Sequence, residues 1–224
     1  MALPAFLSYS HRDRDLAGLV KGTLDSYGLD TFLAHEDLKP SVEWQKTILL
    51  KLRECKVFLP LLTNAFKESN WTDQETGIAL ARNKIIVPLK VDCDPYGFIG
   101  RYQAQSLADV YTEGVFDVAV INERCWSALK VLSLNPKIGD AVKDGIIMAF
   151  AASGSFNSSA YHAKQLAEIE PFTDEQLSEI VRESGRNSQI YGGFAARDYV
   201  NALIDRNRNR LASALVSQFR RLSS

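Results

Sequence analysis

The chain has 224 residues, 46% of them hydrophobic and 24% charged, with a net charge of −1. These proportions exclude a disordered tail, a collagen-like chain and a disulfide-stapled miniprotein, and the balanced charge excludes a generally basic protein that coats nucleic acid. No window holds the roughly 18–20 uninterrupted apolar residues of a membrane span, and the opening MALPAFLSYSHRDRD places no basic residue ahead of its apolar stretch, as a secretory signal would. The expectation is a cytoplasmic chain.

Taken in order, residues 4–9 (PAFLSY) predict a buried first strand. Residues 12–27 carry Leu16, Leu19, Val20 and Leu24 at helical spacing, and Gly28 follows where a left-handed cap is least costly. Residues 30–34 predict a short second strand. The loop HEDLKP leads to Ser41, an N-cap for a helix over 42–55. Residues 56–62 (KVFLPLL) are apolar throughout, as in a strand buried on both faces. A helix over about 72–83 ends at Asn83, and a fourth strand covers 84–91. Pro60 and Pro88 sit inside these last two strands and each removes a ladder donor. A fifth strand is expected near 107–111 and a helix over 115–133.

Strand–helix alternation of this kind implies a parallel sheet covered on both faces. The fold class is α/β: a flavodoxin-like five-stranded parallel sheet, ordered 2-1-3-4-5 and flanked by helices. Such sheets bind ligands at the carboxyl ends of the strands where their order switches, here between strands 1 and 3. That singles out the loops Ser8 to Arg12 and Thr63 to Glu75. After Asn135-Pro136 the texture changes. Helical segments are expected near 138–152, 157–169, 174–185, 189–204 and 207–222, with Thr173 and Gln176 forming a capping box. The domains are therefore 1–135 and a small all-helical region, 136–224.

No GxGxxG, GxxxxGK[ST] or GxSxG pattern is present. Cys55, Cys93 and Cys125 are widely spaced, and His11, His35 and His162 have no ligand spacing, so no metal site is expected. After the first strand, Ser10 and Asp13 can cap the first helix, while Arg12, the hydroxyls and free N–H groups suit a phosphate or ribose. After the third, Thr72 and Glu75 fit the T-x-x-E capping box. The same Glu75, beside the switch point and held ionised by the helix dipole, can stabilise positive charge. Trp71 next to it can stack on a ring or pack under the loop. The arginines between 206 and 221 are nearly balanced by nearby acids, so nucleic acid is not an expected partner.

FLSYSHRDRDLA, TFLAHEDLKPSVEWQKTI and VFLPLLTNAFKESNWTDQETGIALARNKIIVPLKV, in that order, resemble the Toll/interleukin-1 receptor (TIR) domain family in its bacterial form, over about residues 3–130. The resemblance implies the flavodoxin-like fold. It implies either a signalling scaffold or an enzyme that cleaves NAD+ at the nicotinamide–ribose bond, as substrate and without a further cofactor. The catalytic glutamate of such enzymes matches Glu75, with Thr72 where the family often has Cys. Ser8, Tyr9, Ser10, His11 and Arg12 match the loop lining the NAD+ site, and Trp71 stands beside it. Asp37 and Lys39 match the BB loop, a site of TIR–TIR contacts. By the same resemblance, the active site is often completed by a neighbouring subunit. A role in bacterial antiphage defence is expected, with a trigger or effector protein as a further partner.

Overall fold

The computed structural model describes residues 2–33, 42–112 and 114–222. It divides into two compact units, Met1–Leu132 and Ser133–Ser224.

In the first unit, β1 (Leu3–Ser8) leads through a 3-10 turn (His11–Asp13) to α1 (Arg14–Ser26) and β2 (Leu29–Leu33). Next come α2 (Val42–Glu54), β3 (Val57–Leu62), the short α3 (Asn64–Lys67) and α4 (Asn70–Ala81). The fourth strand is in two pieces, β4 (Ile85–Ile86) and β5 (Leu89–Lys90); β6 is Gln105–Ser106. The order is β2-β1-β3-β5-β6 with β4 also on β3, every pairing parallel. With β4 and β5 as one interrupted strand, this is the expected 2-1-3-4-5.

Every residue of β3 is buried, so the sheet needs helices on both faces. On one face Phe6 and Phe58, ring centroids 5.8 Å apart, pack with Ile48 and Leu52 of α2 and Ala79 of α4. The alternate residues Ala5, Leu7, Val57, Leu59 and Leu61 are equally buried, as are Leu16, Val20 and Leu24 of α1. The edge strand β2 is blunted by α1: Lys21 Nζ donates to the Thr31 carbonyl at 2.6 Å and Asp25 accepts the Thr31 N–H at 2.9 Å. Gly28 at φ +84° ends α1 as expected, and Asn83 at φ +52° follows α4.

Four local expectations are corrected. The fourth strand is broken at Val87–Pro88. The carbonyls of Lys56 and Phe58 accept from Ile85 and Val87, so by the two-residue alternation of a strand the missing donor of Pro60 faces this break. The fifth strand lies at 105–106 instead of 107–111. A hairpin of β7 (Tyr111–Thr112) and β8 (Val115–Phe116) takes up the following residues, and α5 (Val118–Ser133) begins three residues late. Its start is set by Asp117, whose carboxylate accepts from the N–H groups of Ala119 and Val120. Finally, α4 begins at Asn70 and not at 72. The expected cap at Ser41 lies outside the described residues.

The second unit is helical: α6 (Gly139–Ala151), α7 (Phe156–Glu168), α8 (Asp174–Ser184), α9 (Ser188–Tyr191), α10 (Phe194–Arg206) and α11 (Ser213–Leu222). Its core holds Ile146, Phe150, Leu166, Ile180, Val200, Leu203 and Phe219. The Thr173–Gln176 capping box forms in both directions. The single helix expected over 189–204 is divided at Gly192–Gly193.

Candidate functional site

Strand β1 ends at Ser8, in register with Pro60 of β3, where the strand order switches. The Ser8 side chain is fully buried, and its hydroxyl donates to Glu75 Oε2 at 2.5 Å. Glu75 comes from α4, whose buried stripe is Thr72, Glu75, Thr76 and Ala79. That spacing puts one face of the helix in the interior, with a carboxylate built into it. Glu75 is only 2% exposed, and its second oxygen, Oε1, is buried with no hydrogen-bond partner among the described residues. Burial pushes its pKa up to about 7, with the Ser8 hydroxyl pulling it down.

This geometry overturns the capping reading of Thr72 and Glu75. The helix starts two residues early, with Ser69 at the N-cap, so Glu75 lies in the second turn and cannot reach the cap. The acid in the first turn is Asp73, whose carboxylate accepts from the Tyr96 hydroxyl at 2.8 Å. Thr72 Oγ1 instead lies 2.7 Å from the carbonyl oxygens of both Phe66 and Ser69, holding the turn between α3 and α4. The expectation that the helix dipole keeps Glu75 ionised is also corrected: the dipole acts within the first turn, and desolvation dominates in the second.

The loop after β1 is split. Tyr9 and Ser10 are buried, whereas His11 and Arg12 are exposed. Ser10 does not cap with its side chain. Arg12 Nη1 meets Glu68 Oε2 at 2.8 Å, with both side chains largely exposed. Asp13 accepts from Thr63 Oγ1 at 2.6 Å, and that same hydroxyl accepts the Phe66 N–H at 2.9 Å, capping α3. Burial raises the Asp13 pKa, and the Thr63 hydroxyl opposes this. Two contacts thus tie the loops after β1 and β3 together. Glu68, Asp13 and Thr63 belong to those loops, but nothing in their spacing marked them as partners. Trp71 is 39% exposed at the second position of α4. Asp37 and Lys39 lie outside the described residues.

One open cavity lies away from the buried acid. A cavity of about 630 Å3 runs along α4 over Gly77, Leu80 and Ala81, facing Phe98 and Arg101, and neither Ser8 nor Glu75 lines it. Among the described residues no three His, Cys, Asp or Glu side chains form a group that could hold a metal. No helix of the described residues is long and apolar enough to cross a membrane. In the second unit Arg206 pairs with Glu170, Arg210 with Asp174 and Arg220 with Asp205.

A parallel sheet whose strand order switches between β1 and β3, covered by helices, defines a doubly wound α/β domain. The chain belongs to the TIR domain family: the family model matches residues 5–118, just over half of its length. Comparison with curated proteins gives no match.

Proposed function

We propose that this chain is a TIR-domain NAD+ glycohydrolase or ADP-ribosyl cyclase with Glu75 as its catalytic carboxylate. The observation that carries this reading is the state of Glu75: buried at the switch point, held by Ser8 through one oxygen and, among the described residues, unpartnered at the other. A buried, half-satisfied carboxylate costs stability. Its place on the core stripe of α4 is accounted for if the free oxygen meets a substrate.

The chemistry asks little beyond that carboxylate. Nicotinamide leaves NAD+ as a neutral base and needs no general acid. As the bond breaks, the ribose takes on oxocarbenium character, and an ionised carboxylate beside its hydroxyls stabilises that charge. A cationic nicotinamide riboside entering the site favours the ionised form of Glu75, against the burial that favours the neutral one. Capture by water gives ADP-ribose, and capture by a hydroxyl or adenine nitrogen of the same molecule gives a cyclic product. In this reading Arg12 exchanges Glu68 for the pyrophosphate, Trp71 stands where a ring can stack, and Tyr9, Ser10 and His11 complete the wall. Asp37 and Lys39 belong to the loop through which copies of the domain associate and complete the site. The cellular role that fits is cytoplasmic antiphage defence, with the helical unit, 136–224, receiving a trigger or effector protein.

A second reading, a non-catalytic TIR interaction module, is favoured by one observation: the open volume along α4 does not reach Glu75. One experiment separates them. The purified chain is incubated with NAD+ over a range of protein concentrations, with and without crowding agent, and nicotinamide is measured by chromatography. Release that disappears in Glu75→Ala supports the enzyme. No release under any assembly condition overturns it, and equal release from Glu75→Ala overturns the residue assignment.

A further inference from the structure

Ser8 was matched to the wall of the NAD+ site, but its hydroxyl proton is spent on a protein atom. We infer that Ser8 is a positioning residue for Glu75: its hydroxyl pins Oε2 and leaves Oε1 as the one carboxylate atom presented to a substrate. This rests on the proposed activity for its consequence, though not for its geometry.

Three observations support it. The bond is short, 2.5 Å, and both residues are buried, so water does not compete for either partner. It joins the last residue of β1 to the second turn of α4, linking the two elements that meet at the switch point. It is also the only hydrogen bond that restrains the carboxylate among the described residues, since Oε1 has none. Asp73, the other acid of α4, is engaged by Tyr96, and Asp13 on the facing loop by Thr63. Only burial and the Ser8 hydroxyl act on the Glu75 pKa, in opposite directions. Without Ser8 the carboxylate would lose its fixed rotamer and the group that favours its ionised form.

The test uses the full chain as wild type, Ser8→Ala and Ser8→Thr. Its first readout needs no catalysis: the urea midpoint is followed from pH 4 to 9, each variant against the same variant carrying Glu75→Gln. The inflection due to Glu75 is expected near pH 7 in wild type and in Ser8→Thr. In Ser8→Ala it is expected about one to two pH units higher, the effect of losing one hydrogen bond to a charged group. An inflection that does not move in Ser8→Ala overturns the inference, whether or not the chain cleaves NAD+. The second readout is nicotinamide release. Ser8→Ala is expected to lose at least tenfold in kcat at pH 7, to regain part of it at pH 9 and to be rescued by Ser8→Thr. A uniform loss at every pH would mean a structural role alone and overturns the inference. A wild type that releases no nicotinamide overturns the proposed activity and leaves the first readout standing.

Discussion

Arg12 and Glu68, fifty-six residues apart in sequence, join their side chains at 2.8 Å, Nη1 to Oε2, bridging the loops that follow β1 and β3. Exposed pairs of this kind contribute about 0–1 kcal/mol. Glu68→Ala is therefore expected to leave the melting temperature within a few degrees of wild type. If Arg12 is the group that receives a pyrophosphate, the two variants separate on binding. By calorimetry, Arg12→Ala weakens ADP-ribose several-fold and flattens the salt dependence, while Glu68→Ala binds as well as or better than wild type. Equal weakening by both would assign the bridge to loop structure alone.

Glu75 makes stability depend on pH in the direction opposite to a paired acid. Its ordinary value is 4.5, and burial moves it to about 7 in the folded chain. Below pH 4.5 both folded and unfolded forms hold the proton. Between the two values the unfolded chain releases it while the folded chain keeps it, so stability falls as pH rises. Above about pH 7 the loss is complete, at about 3 kcal/mol. Glu75→Gln removes this slope: its urea midpoint is expected to match wild type near pH 5 and to exceed it at pH 8. A midpoint lower than wild type at pH 8 would restore a stabilising role for the carboxylate.

The proposed activity has a pH signature of its own. Only the ionised carboxylate stabilises an oxocarbenium-like ribose, so kcat/KM for nicotinamide release is expected to rise about tenfold per pH unit below pH 7 and to level above it, because that parameter reports the free enzyme. A limb near pH 4.5 would mean that the group titrates as an exposed acid.

Thr72 carries a different load from the one its spacing suggested. Its buried hydroxyl serves the carbonyls of Phe66 and Ser69. Thr72→Val keeps the volume and removes the donor, and is expected to cost about 1–3 kcal/mol in denaturant unfolding. Thr72→Ser is expected to stay close to wild type, and Thr72→Cys to fall between, since a thiol is a weaker donor.

Much of the first unit was legible because its signals are local. The apolar run 56–62 implied a strand buried on both faces, and Gly28 marked the end of α1, where a left-handed residue is needed. Where the reading failed, distant pairing decided the outcome. The fourth strand breaks at Val87–Pro88 because Pro60, on another strand, has no N–H to offer there. The fifth strand is placed by its register with Leu89 and Lys90, not by the apolar residues that follow it. The early start of α4 turned Thr72-x-x-Glu75 from a cap into part of a buried face.

The sequence by itself determined the class of sheet, its strand order, the family and the two loops at the switch point, since hydrophobic periodicity and motif order are properties of neighbouring residues. The state of Glu75 was decided only by tertiary structure. A carboxylate in the first turn of an exposed helix stays ionised, and the same residue one turn later, against the end of β1, is desolvated and held by a single serine. That difference depends on which atoms surround the side chain, and spacing along the chain does not carry it.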